Sequence, residues 1–136
     1  MKFPRVLLSA AALVSAILAQ SALADHHESH DKSIKALLVT GGCCHNYKAQ
    51  TDALKDGLKP YGEILWTVIN EGGRGTQAQI DLYKDPDWAK KFDVVVHNEC
   101  FANTKDEAYV KSITEAHKAG VPGVVIHCAM HTYRAA

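Results

Sequence analysis

The stretch Ala36–Tyr47, ALLVTGGCCHNY, decides how the rest of the chain is read. Ala36 to Thr40 is a short apolar run, Gly41-Gly42 closes it, and Tyr47 opens a pattern with helical spacing. A continuous apolar run bounded by glycine is what a strand buried on both faces presents. Tyr47, Leu54 and Leu58 then share one helical face, and Pro60 with Gly62 stops that helix near Lys59. The result is a strand, a reactive turn and a helix.

The same alternation continues downstream. Ile64–Ile69 predicts a second strand, closed by the loop EGGRGT. Thr76 to Phe92 predicts a weaker helical region, with Asp85-Pro86 as a cap followed by a first-turn proline. Asp93–His97 predicts a third strand. Thr104-Lys-Asp-Glu107 has the form of a capping box and predicts a helix with Val110, Ile113 and His117 on one side, ended by Gly120-Val121-Pro122. Gly123–Ile126 predicts the fourth strand. Strands of this kind alternating with helices imply an α/β three-layer sandwich around a parallel sheet. An uncovered parallel edge is a liability, so the fold is expected to be incomplete within residues 34–136. Further sequence, or pairing in a homo-oligomer, would complete it.

Composition narrows the function classes. Fifteen basic residues match fifteen acidic ones, which gives no electrostatic footprint for nucleic acid. Residues 1–24 have Lys2 and Arg5, an apolar run from Val6 to Leu18, and Ala22-Leu23-Ala24 before the expected cut. That is the form of a signal peptide, and its core is shorter than the roughly 20 residues that span a bilayer. The expected location is periplasmic or secreted, with no membrane attachment after cleavage. Residues 25–33 form a polar tether with three histidines, whose sharper reading is a weak metal-binding tail. An oxidising compartment favours disulfides. Pairing between the neighbours Cys43 and Cys44 is disfavoured by geometry, so one of them is expected to pair with Cys100 or Cys128.

In open α/β sheets, ligands bind beyond the carboxyl ends of the strands. Gly41, Gly42, Cys43, Cys44, His45 and Asn46 follow the first expected strand, and Asn70 to Arg74 the second. Asn98, Glu99 and Cys100 follow the third, which ends on His97, and His127, Cys128 and His131 follow the fourth. All four cysteines and most of the histidines beyond the tether are thus expected at one rim.

LLVTGGCCHNY, DVVVHNECF and GVPGVVIHCAMHTYR together resemble the ThuA-like (trehalose-utilisation) family, over about Ile34 to Arg134. The family is similar to class I glutamine amidotransferases. The resemblance covers the amino-terminal part of its domain and implies a flavodoxin-like fold and a role with sugar-derived small molecules. By position, Cys128 matches the amidotransferase nucleophile. The residues themselves oppose that role: Ile126 and Met130 are bulky where a nucleophile elbow wants small side chains. The histidine base of amidotransferases comes from a later segment, and adjacent His127 would face away on a strand. A structural thiol is the competing reading.

His127 and His131, spaced i, i+4, would project from one side if the segment turns helical. With His45 they are candidate metal ligands, Glu99 or a cysteine supplying a fourth group, and zinc suits that donor set. Imidazoles bonded to strand-end carbonyls are the alternative. Glu99 is the candidate general acid or base, with His45 and Cys128 as further catalytic candidates. Asn98, Gly41 and Gly42 are candidate substrate-binding positions, although a tight turn also explains the glycines. EGGRGT lacks a phosphate-loop pattern and reads as a flexible loop. The expectation is an exported domain that binds or processes a carbohydrate-type ligand. The alternatives are a non-catalytic metal-binding module and an inactive interaction domain.

Overall fold

The computed structural model describes residues 33–136. The expected signal peptide and all of the tether except Ser33 lie outside the described residues. Four strands, β1 (Ile34–Gly42), β2 (Ile64–Asn70), β3 (Val94–Cys100) and β4 (Gly123–Val125), form one sheet. Every pairing is parallel and the order is β2-β1-β3-β4. That is the first part of the flavodoxin-like order 2-1-3-4-5, whose switch point lies between β1 and β3. The α/β sandwich read from the sequence is the observed fold. Among the described residues, no helix is long and apolar enough to cross a membrane.

Helix α1 (Tyr47–Leu58) covers one face and runs on into a 3₁₀ turn at Lys59–Tyr61. The other face carries the larger core. Leu37, Val39 and Val95 meet Ile80, Tyr83, Trp88 and Phe101, with Tyr109 and Ile113 from α2 (Glu107–Lys118). Several of these are entirely buried, which at about 25 cal/mol per Å² of apolar surface is the main force holding the layers together.

Three expectations are corrected. Thr76 to Phe92 is not a helix: it holds a 3₁₀ turn at Asp81–Lys84 and then successive tight turns, each closing an i to i+3 bond. The core needs Ile80, Tyr83, Trp88 and Ala89, whose spacing fits no helical stripe, and Pro86 has no N–H for a helix interior. The capping box at Thr104 does not form either. The Thr104 hydroxyl instead bonds both the N–H and the carbonyl of Ala78, and Asp106 caps α2 by accepting from the Tyr109 N–H. Finally, β3 extends to Cys100, so His97 to Cys100 are strand residues and point alternately to the two faces.

Candidate functional site

The turn after β1 is dictated by its glycines. Gly41 and Gly42 have φ of 137° and 97°, and a Cβ on them would collide with the carbonyl oxygens of Glu71 and Cys100. Their close approach is to the chain's own backbone. The turn continues through Cys43 and Cys44, which are disulfide-bonded to each other. This overturns the expected pairing with Cys100 or Cys128, both of which are free thiols. Asn46 then caps α1 by accepting from the Ala49 N–H, and the Tyr47 hydroxyl donates to the Cys43 carbonyl at 2.7 Å. These bonds present His45 at the carboxyl edge of the sheet.

The second wall comes from β4. His127, with φ of 41°, turns the chain sharply out of the strand into a 3₁₀ turn, His127–His131. Nε2 of His45 lies 2.9 Å from Sγ of Cys128. The His127 ring stands edge-on to His45 with centroids 5.0 Å apart, and ligand atoms of His45, His127 and Cys128 all lie within 4.8 Å of one another. Tetrahedral zinc, about 2.0–2.1 Å from nitrogen and 2.3 Å from sulfur, holds such donors about 3.3–3.8 Å apart; the 2.9 Å His45–Cys128 contact and the 4.8 Å limit of the cluster lie on either side of that spacing. His131 is exposed and outside the cluster. The 3₁₀ turn explains this, because its 120° step separates i from i+4 whereas an α-helix aligns them.

Burial sets the electrostatics around the cluster. The Cys100 thiol is pushed up in pKa, first by burial and then by the adjoining Cys128 thiol. Tyr47 rises to about 12, again mainly from burial, with Cys100, Cys128 and Glu99 adding repulsion. Beside the cluster lies a polar cleft of about 540 Å³, lined by Cys44, His45, Asn46, Asn70 and Arg74 among others. Arg74 belongs to EGGRGT, the loop read as flexible and without a phosphate-loop pattern. Its only sequence signal was a lone cation in a glycine-rich turn at the carboxyl edge.

Two expected site residues stand elsewhere. The Asn98 side chain is buried and donates to Gln50 of α1 at 3.2 Å, away from the cleft. Glu99 is completely buried on the α2 face of the sheet, opposite Cys100, where Oε1 accepts from the Tyr83 hydroxyl and lies 3.0 Å from Nδ1 of His97. His97 is buried with it and meets His117, so neither residue reaches the rim. The expected constellation therefore divides into an edge cluster and an internal one. No protein family, curated protein or solved structure matches the chain.

Proposed function

We propose that this chain is an exported ThuA-like domain that binds and processes a sugar-derived small molecule in the polar cleft, with zinc held by His45, His127 and Cys128. The observation that carries the reading is the position of His45, which is both a wall of the cleft and a member of the three-donor cluster. Two imidazoles and a thiolate suit zinc and leave a fourth position free. A metal there would polarise a substrate oxygen or activate a water. Asn46, Asn70 and Arg74 supply the few convergent polar groups that orient a hydroxyl-rich ligand.

Metal analysis and ligand-dependent melting test this. Purified tag-free protein is expected to take up about one equivalent of zinc, and melting shifts with disaccharides or oxidised sugars should require it. His45→Ala should lose both metal and shift, and His131→Ala should keep both. Zinc uptake below about a tenth of an equivalent would remove the metal reading. Sugar shifts that survive His45→Ala would remove the site. A second reading rests on the 2.9 Å contact between His45 and Cys128, which also describes a thiol activated by a neighbouring base. Rapid alkylation of Cys128 that depends on His45, in protein that binds no zinc, would favour it.

A further inference from the structure

The internal cluster on the α2 face contains a chain of polar contacts whose proton count can be read from its ends. Nδ1 of His117 faces the Val121 carbonyl at 2.8 Å. A carbonyl only accepts, so this nitrogen carries a proton. Nε2 of His117 faces Nε2 of His97 at 2.9 Å, and one proton must lie between them. Nδ1 of His97 then faces Oε1 of Glu99 at 3.0 Å. Two neutral imidazoles and an ionised carboxylate would leave lone pairs opposed somewhere along this chain. Tyr83 does not remove the deficit. Its hydroxyl, 3.1 Å from Oε1 and 3.2 Å from Nδ1, can donate to only one of them, and donation to His97 leaves Glu99 without a donor.

We propose that Glu99, His97 and His117 together hold one proton more than a carboxylate and two neutral imidazoles, forming a net-neutral buried latch that ties the end of α2 to β3. Burial gives the physical reason. Glu99 is fully buried and its Oε2 has no hydrogen-bond partner, so a bare carboxylate there would be costly. The titratable groups facing it are Tyr83 from the turn region, Tyr109 from α2 and Tyr133 near the carboxyl-terminal end. None is a cation, and His97 is the ion-pair partner of Glu99 among the described residues. The compensating charge is therefore supplied by the extra proton. Trp88 packs edge-on to both imidazoles.

A folded state that retains this proton binds more protons than the unfolded chain once pH exceeds the ordinary histidine range, about 6.5. Stability from the latch is therefore greatest near that range: it is lost as pH rises, and lost again as pH falls, because the two histidines of the unfolded chain then take up two protons against the latch's one. Above that range the folding constant should fall by an extra factor of up to about ten per pH unit for as long as the folded state keeps the proton. Glu99→Gln should abolish this extra slope, because its amide donates to His97 and completes the chain with neutral rings. Equal slopes for the two proteins in denaturant titrations would overturn the proposal. If the variant does not fold, nitrogen-15 and carbon-13 NMR of the wild-type protein decides. Three protons on the four ring nitrogens, or two with a protonated Glu99 carboxyl, support the latch; two with an ionised carboxylate overturn it. Neither readout involves zinc or sugar, so the latch and the proposed function stand or fall separately.

Discussion

Tyr47 shows how one side chain links the turn, the helix and the edge cluster. It is the first residue of α1, it is buried, and its hydroxyl holds the Cys43 carbonyl and hence the loop that carries His45. Its pKa of about 12 exceeds the usual phenol value of about 10. The folded state thus keeps this proton after the unfolded chain has lost it. Stability from Tyr47 is complete below about pH 10 and is lost as pH rises toward 12. Tyr47→Phe should melt at lower temperature at neutral pH and decline less steeply across that window, as read by circular dichroism. The identities of such residues were visible in the sequence, but their partners were not. His45 was picked out as a rim residue, yet its contact with Cys128 joins positions far apart in the chain through a turn whose direction depends on the His127 backbone.

Elements were legible where local pattern and tertiary need agree. β1 and β3 emerged because strands buried on both faces are written as continuous apolar runs, and β2 and β4 carry the same runs although much of each is exposed. The segment Thr76–Phe92 was misread because its apolar residues serve the core one at a time from turns, leaving no period to detect. The start of α2 was misread because Asp106 and Thr104 both have capping chemistry and only tertiary contact with Ala78 decides between them. Asp106 lies below the ordinary carboxylate range, first through the Tyr109 N–H and then through Gln79. Its stabilisation is present above about pH 4 and is lost as pH falls through the depressed value. Asp106→Ala should lower the melting temperature at neutral pH and flatten its acid dependence, as measured by calorimetry.

Across the whole molecule, order is concentrated at the centre of the sheet. β1 is buried from Ala36 to Gly42 and paired on both sides, whereas all of β4 is exposed. Amide hydrogen exchange should therefore find the slowest protons in β1 and β3, and markedly faster ones in β4. Open β4 residues slower than those of β1 would contradict this packing. The reactive groups were all expected at the sheet's carboxyl edge, but alternation along β3 divides them, since a rim counted by sequence position has no sides. That alternation couples the fates of the two clusters. Inserting one residue early in β3 would exchange their contents, sending a thiol into the aromatic core and a carboxylate toward the histidines at the edge. Neither cluster can be retuned by sliding this strand without dismantling the other, so substitution in place is the one tolerable route by which either can diverge.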